Sequence, residues 1–309
     1  MQPFRGIAMK LASVSFFIVM SSFIKAVSDR VPAGEAVFFR SAFAMPVILI
    51  WLAARHDFPA GLRVRSPLAH GLRGIFGTTN MGLGFAGLGL LSLPEVTAIG
   101  YAAPLLTVLF AALLLGEKVH AFRISAVVLG LIGVLIVLYP NLATATGPAT
   151  PLAHAEALGA ILVLIGAVFN ALAQVQIRRL VATENVSAIV FFFSLTATVL
   201  SLTTLPFGWV WPTAREATFL IGCGLFGGVG QIFLTSSYRH ADASVIAPFE
   251  YASMILALLI GYFVFSETPT LTMLTGAAIV VVAGILIIWR EHYLGLERSR
   301  QRKAMTPLG

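Results

Sequence analysis

Ten long apolar stretches divide the chain, and they limit the folds open to it more than any other feature. Each is about 20 residues long, the length that a helix needs to cross a bilayer. They cover residues 5–26, 33–53, 68–90, 93–115, 122–140, 155–178, 186–206, 215–237, 243–265 and 270–290. Because the links between them are short, we predict an all-α integral membrane protein with ten transmembrane helices.

The composition excludes a water-soluble fold for so apolar a chain. Of its 309 residues, 58% are hydrophobic and 11% are charged, and the mean hydropathy is +0.94. Soluble domains carry about 25% charged residues, so the bilayer is the expected solvent here. The single cysteine, Cys223, excludes a disulfide framework and a thiolate metal site. Lys10 interrupts the first apolar stretch, which we interpret as a span and not as a cleaved signal.

The distribution of lysine and arginine predicts the orientation in the membrane. With the N-terminus inside, only Lys25, Arg30 and Arg215 fall outside and Arg40 lies within a span, while the other 16 of the 20 basic residues fall inside. Basic residues concentrate on the cytoplasmic side, so both termini are expected there, in a bacterial-type inner membrane. The basic tail is expected to face anionic lipid headgroups, and no nucleic-acid partner is expected.

Similar motifs recur about 150 residues apart and divide the chain into two halves. VFFRS at 37–41 matches VFFFS at 190–194, and the pair Phe76-Gly77 matches Phe226-Gly227. Five spans in each half give the halves opposite orientations, the inverted repeat on which many alternating-access transporters are built. The predicted units are a first five-helix repeat, 1–141, a linker, 142–154, a second repeat, 155–290, and a cytoplasmic tail, 291–309.

Four segments resemble the drug/metabolite transporter superfamily, EamA type: VFFR at 37–40, HGLRGIFG at 70–77, AAPLLTVLFAALLLGEK at 102–118 and APFEYASMILALLIGYFVFSETP at 247–269. The resemblance covers nearly the whole chain and implies a ten-helix bundle with cytoplasmic termini and a central cavity. Members of the superfamily move amino acids, nucleosides, vitamins, S-adenosylmethionine and drugs. The VFFR and HGLRG elements are most similar to the branch of S-adenosylmethionine and riboflavin importers. This chain departs from the S-adenosylmethionine importers at Glu250, where those importers have a basic residue.

Three charged residues lie within or beside the predicted spans, where a charge has a high desolvation cost. Arg40 either lines a cavity and pairs with a substrate carboxylate or phosphate, or it pairs with an internal acid or snorkels. Arg73 either joins such a site or anchors the inner end of its span. Glu250 either couples transport to protons, binds a substrate cation, or pairs with Arg73 or Arg239.

Six polar and aromatic residues complete the candidate binding site. The amides either hydrogen-bond a substrate or join helices to each other. The two tyrosines stand beside Pro104 and Pro248, and either offer aromatic faces to a planar ligand or pack in the core. These residues are Asn80, Tyr101, Asn170, Gln174, Gln231 and Tyr251.

The function that these patterns favour is secondary transport of a small polar or amphipathic organic metabolite by alternating access. The alternative is a membrane-embedded enzyme acting on a lipid-linked substrate. The chain contains no ATP-binding, zinc or nucleophile-elbow motif, so we expect neither catalysis nor a cofactor nor a metal. The expected partners are the substrate and membrane lipid, with a proton as the candidate coupling ion, and the protein is expected to be a monomer or homodimer.

Overall fold

The computed structural model describes residues 3–115, 121–145, 150–241 and 243–305, and helices account for almost all of them. The α-helices are α1 (Pro3–Lys25), α2 (Ala33–Ala54), α3 (Pro67–Leu88), α4 (Leu93–Gly100), α5 (Ala102–Leu115), α6 (Ala121–Ala145), α7 (Pro151–Leu180), α8 (Val186–Leu202), α9 (Ala214–His240), α10 (Ala243–Ile246), α11 (Ala252–Phe265) and α12 (Leu271–Met305). Short 3-10 helices occupy Ala60–Leu62, Leu205–Phe207 and Ala247–Tyr251.

These helices form ten membrane-spanning units, as predicted for the fold. The described part of the chain contains seven helices long and apolar enough to cross a bilayer, and two shorter apolar helices at Val186–Leu202 and Leu271–Ile287. The tenth unit is α3, whose 22 residues include several glycines that lower its hydropathy. Helix α12 continues through most of the predicted tail, while 306–309 and the linker residues 146–149 lie outside the described residues.

The fourth and ninth spans are each interrupted in their N-terminal part. Helix α4 stops at Gly100 and α5 starts at Ala102, while a 3-10 helix separates α10 from α11. Pro104 and Pro248 follow the two interruptions closely or lie within them. Because proline has no backbone N–H, the carbonyl four residues before it lacks its helical partner. Interruptions of this kind are tolerated inside a membrane where they are buried or line a cavity.

Acidic residues hold one end of the second helix of each half to the other half. A carboxylate oxygen of Glu35, at the start of α2, accepts a hydrogen bond from the Val210 N–H at 2.9 Å. Glu184, just before α8, accepts from the N–H groups of Arg65 and Ser66 at 2.8 and 2.9 Å. Since α2 and α8 belong to different halves, these bonds fix the ends of the two halves to each other.

The apolar side chains form two main cores, and each contains helices from both halves. One core is formed mainly by α5, α6, α7 and α12, the other mainly by α1, α2, α3, α8 and α9, and α4 and α11 contribute to both. The most extensive interfaces, such as α1 with α9, α3 with α7 and α6 with α12, all cross between the halves. Large apolar side chains that remain exposed, among them Leu113, Tyr139 and Phe263, face outward where lipid is the expected solvent.

Candidate functional site

A central cavity of about 390 Å³ is lined by residues of both apolar cores. That volume lies within the usual range for small-molecule sites. All nine residues that the sequence singled out line this one cavity: Arg40, Arg73, Asn80, Tyr101, Asn170, Gln174, Gln231, Glu250 and Tyr251. The structure therefore brings them together, and their contact with a substrate stays a prediction.

Two arginines from different helices meet at one aromatic ring. Arg40 of α2 and Arg73 of α3 are 2% and 5% exposed, and their guanidinium carbons lie 5.3 and 4.1 Å from the centre of the Phe193 ring. The stacking places both cations on the negative face of the ring, which is a favourable cation–π geometry. Arg73 therefore does not snorkel to the membrane surface.

The guanidinium groups have few hydrogen-bond partners in the described part of the protein. Arg40 Nη2 donates to the Gly227 carbonyl at 3.3 Å and to the Gln231 side chain at 3.5 Å. Nε and Nη1 of both arginines are buried without a partner. The expected alternative partners of Arg40 are engaged elsewhere, because Glu35 binds the Val210 N–H and Glu95 caps α4. The ion pair that the sequence offered as an alternative for Arg40 is therefore not formed.

Glycines at matching positions of the two halves provide the room for these arginines. A methyl group added at Gly227 would lie 2.8 Å from Arg40 Nε, and one at Gly77 would collide with Arg73 Nη1. Phe193 itself occupies in the second half the position that Arg40 occupies in the first. The repeat thus places the cation and the ring that it stacks on at related positions.

Glu250 forms an ion pair that the sequence analysis did not predict. Lys10 Nζ donates to Glu250 Oε2 at 2.7 Å, and the two side chains are 2% and 32% exposed. The sequence offers Arg73 or Arg239 as structural partners of Glu250, and the structure corrects this alternative, because the partner is Lys10. The available signal was that Lys10 interrupts an apolar stretch two turns into α1.

The two tyrosines mark the interruptions of the fourth and ninth spans. Their rings lie 5.0 Å apart at 73°, an edge-to-face arrangement. The Tyr101 hydroxyl hydrogen-bonds the Ser253 hydroxyl at 2.7 Å and donates to the Tyr251 carbonyl at 3.3 Å. A side chain of one interrupted span therefore bonds directly to the backbone of the other interrupted span.

The amides line the remaining walls, together with residues that the sequence analysis missed. Gln174 accepts a hydrogen bond from the Tyr238 hydroxyl at 3.2 Å, and Gln231 donates to Thr235 at 3.5 Å. Tyr238 and the half-buried Arg178 also line the cavity. Both lie within one turn of the C-terminal ends of their helices, α9 and α7.

A further acidic residue, Glu267, connects three helices. Its Oε2 accepts a hydrogen bond from the Leu93 N–H at 2.9 Å, and its Oε1 pairs with Lys25 Nζ at 3.0 Å. Glu267 therefore joins the ends of α1, α4 and α11.

The chemistry available in the cavity is that of binding. The lining contains three arginines and one glutamate, together with amides, tyrosines and apolar side chains. No group of three or more acidic, histidine or cysteine side chains with metal-binding geometry occurs in the described ranges. The arrangement offers hydrogen bonds, charge and aromatic surface to a small molecule with both polar and apolar parts.

Family comparison gives matches over both halves of the chain. The EamA-like transporter family matches residues 4–139 and 157–290. Solute carrier family 35 matches residues 93–207. A solved crystal structure with 20% sequence identity superimposes with a TM-score of 0.64, covering 94% of this chain and 98% of the other, which supports the fold alone.

Relatives of the chain include two that are named as transporters of quite different metabolites and a third that is an uncharacterised transporter. The pseudopaline exporter of Pseudomonas aeruginosa is 29% identical over 283 residues, which are 91% of this chain and 95% of the exporter. The S-adenosylmethionine uptake transporter of Rickettsia prowazekii is 26% identical over 283 residues, 92% of this chain and 91% of the transporter. An uncharacterised transporter of Helicobacter pylori is 28% identical over 297 residues, 91% of this chain and 94% of the relative.

Proposed function

The chain belongs to the EamA-like transporter family, and from this premise we propose that it carries its substrate through the central cavity by alternating access. It is a transporter of small metabolites and not an enzyme, as the names of its family and relatives indicate. The alternative of an enzyme acting on a lipid-linked substrate is therefore set aside. The observation that carries the proposal is the convergence of nine intramembrane polar and aromatic residues on one cavity.

The substrate is a polar or amphipathic organic molecule of metabolite size, and the nine lining residues bind it. Guanidinium, carboxylate and amide groups supply the polar contacts, while Tyr101 and Tyr251 supply aromatic surface. The cavity is accessible alternately from each side of the membrane. Because each apolar core combines helices of both halves, the moving units are the two cores and not the two halves of the sequence.

The orientation places both termini in the cytoplasm of a bacterial cell, with the protein in the inner membrane. The support is the excess of basic residues on one side of the predicted spans. Lys10 and Arg73, which are buried within helices, no longer count toward this excess, and the loop residues preserve it.

Glu250 is the candidate site of proton coupling. It is the one acid that lines the described cavity, and its side chain is 32% exposed there. The titratable groups that interact with it are Lys10, Tyr101, Tyr238 and Tyr251. Protonation of Glu250 removes the charge that holds Lys10, so the ion pair opens and the neighbouring helices lose one link.

The coupling is tested by Glu250→Gln in proteoliposomes with an imposed pH gradient. Substrate uptake should no longer respond to the gradient, while exchange of internal for external substrate continues. Asp57→Asn, which changes an exposed acid outside the cavity, is the matched control. A gradient response that survives in Glu250→Gln contradicts proton coupling at this residue.

Substrate binding is tested first by thermal unfolding of the detergent-purified protein with amino acids, nucleosides, flavins and S-adenosylmethionine. A ligand of the folded state raises the melting temperature in proportion to RT ln(1 + [L]/Kd). The ligand with the largest shift is then assayed for counterflow in liposomes. The shift should fall in Gln174→Ala and Tyr101→Ala, and persist in Arg239→Gln, an exposed residue. If ligand binding and counterflow were unchanged in both Gln174→Ala and Tyr101→Ala, the proposed site would be contradicted.

A further inference from the structure

The cavity contains more positive charge than its own acids neutralise. The one lining acid, Glu250, already pairs with Lys10, at 2.7 Å. Arg40 and Arg73 have no ion pair among the described residues, and each has two buried nitrogens without a hydrogen-bond partner. Buried guanidinium groups without partners are costly, and two like charges at one ring repel each other.

Residues of several helices hold Arg40 and Arg73 in place at the cavity. The two arginines come from different helices, and Phe193 of a third helix supports both. Gly77 and Gly227, at matching positions of the two halves, leave the space that the guanidinium groups fill. The Gly227 carbonyl and Gln231 orient one edge of Arg40, which leaves its Nε and Nη1 free to donate.

We propose that Arg40 and Arg73 together bind an oxyanion group of the substrate, a carboxylate or a phosphate, and that this transporter therefore selects anionic or zwitterionic metabolites. The proposal rests on the transport function proposed above and narrows its substrate class. An oxyanion compensates both the donors without partners and the repulsion between the two arginines. Its oxygens accept hydrogen bonds from the unused N–H groups, and its negative charge offsets the two positive charges. The rest of the substrate extends toward the tyrosines, past apolar walls.

A series of ligands with one apolar body and different head groups tests the proposal without knowledge of the natural substrate. The probes are 3-phenylpropionate, 3-phenylpropionamide and phenyl phosphate, titrated into purified protein at constant ionic strength. We expect the melting temperature to rise saturably with 3-phenylpropionate, phenyl phosphate or both, and not with the neutral amide. The stronger of the two anions identifies the head group as carboxylate or phosphate.

Single substitutions then test whether the anion binds at Arg40 and Arg73. Arg40→Gln and Arg73→Gln should each weaken the apparent affinity for the anion by about tenfold or more, the loss of one charge-assisted contact. Arg239→Gln, an exposed arginine on α9, should leave it unchanged. Arg40→Lys keeps the charge but not the planar fork, so it should retain only part of the response.

The same variants separate binding from a structural role. Without ligand, Arg40→Gln and Arg73→Gln should melt at the same temperature as the wild type or higher, because each removes repulsion. A large fall in melting temperature in both variants would assign the arginines to structure and overturn the proposal. Equal stabilisation by the amide and the anions, or an anion response that survives Arg40→Gln with Arg73→Gln, would also overturn it.

The experiments distinguish failure of the oxyanion site from failure of the transport proposal. Counterflow of a metabolite that continues in the double variant would leave the transport function standing and reject the oxyanion site. Anion binding that depends on both arginines, without counterflow of any metabolite tested, would support the oxyanion site and reject the transport assignment.

Discussion

At the scale of single residues, the structure distinguishes charges that are paired from charges that are available. Lys10 and Glu250 neutralise each other inside the bundle, while Arg40 and Arg73 keep buried donors without acceptors. All four side chains have similar sequence contexts, namely a charge among apolar residues. Their difference arises from what each meets across the bundle, so it becomes visible only in three dimensions.

The Lys10–Glu250 pair predicts an asymmetric response to mutation. Glu250→Gln leaves an ammonium that is almost fully buried, and we expect it to destabilise the protein by about 2 kcal/mol or more. Lys10→Met leaves a carboxylate that still faces the cavity and keeps some hydration, so its cost should be smaller. The double variant should recover part of the loss.

Thermal or denaturant unfolding of the four proteins of this double-mutant cycle measures the coupling. Leu11→Met, next to Lys10 and 37% exposed, is a control for a change on the same helix. Additive effects of the two substitutions would show that the ion pair makes no contribution of its own.

At the scale of secondary-structure elements, the interrupted spans are the distinctive feature. Tyr101 and Tyr251 lie where the helices stop, and Tyr101 donates to the Tyr251 carbonyl. The prolines were visible in the sequence and predicted bends. The direct hydrogen bond between the two interruptions was not predictable, because it depends on how closely the two spans approach.

Restoring a backbone donor to the fourth span should make that span more regular. Pro104→Ala supplies an N–H that can bond the Gly100 carbonyl and so connect the end of α4 to the start of α5. We expect the variant to melt at a higher temperature and to transport more slowly, because the interruption is part of the cavity wall.

The measurement is the initial rate of counterflow set against the melting temperature for the same preparation. Pro46→Ala, which removes a proline inside the uninterrupted helix α2, is the matched control. A faster rate together with higher stability would show that the interruption is not needed for transport.

At the scale of the whole molecule, the two halves interlock and do not stand side by side. Their most extensive interfaces cross from one half to the other, and Glu35 and Glu184 fasten the second helix of each half to its opposite half. A motion that separated the sequence halves would break these contacts. A motion between the two apolar cores would preserve the contacts within each core, such as α1 with α9 and α6 with α12, and would change the α3–α7 interface between the cores.

The proposed orientation gives a direct labelling prediction for the whole chain. Cys223 is fully buried, so a Cys223→Ala variant is a suitable background for single cysteines. Trp211→Cys lies in the loop after α8 and should react with a membrane-impermeant maleimide in intact cells. His56→Cys, after α2, should react only once the membrane is permeabilised. The opposite pattern would reverse the orientation.

The sequence by itself determined the solvent, the number of spans and the class of architecture. Span length and hydropathy depend only on residues that are neighbours in the sequence. The inverted repeat depends on similar motifs at a fixed sequence separation. All of these properties can therefore be recognised without the tertiary structure. The polar residues that line the cavity could also be identified from the sequence, because a polar group within a span requires water, a ligand or a partner.

Only the tertiary structure decided which of those residues are partners. Lys10 and Glu250 are 240 positions apart, and Arg40, Arg73 and Phe193 come from three helices. Such pairings depend on helix rotation, helix crossing and the space left by glycines, which no local pattern specifies. Because rotation of a helix by a fraction of a turn changes which side chains meet, the sequence supplied the candidates and the packing of the helices decided their partners.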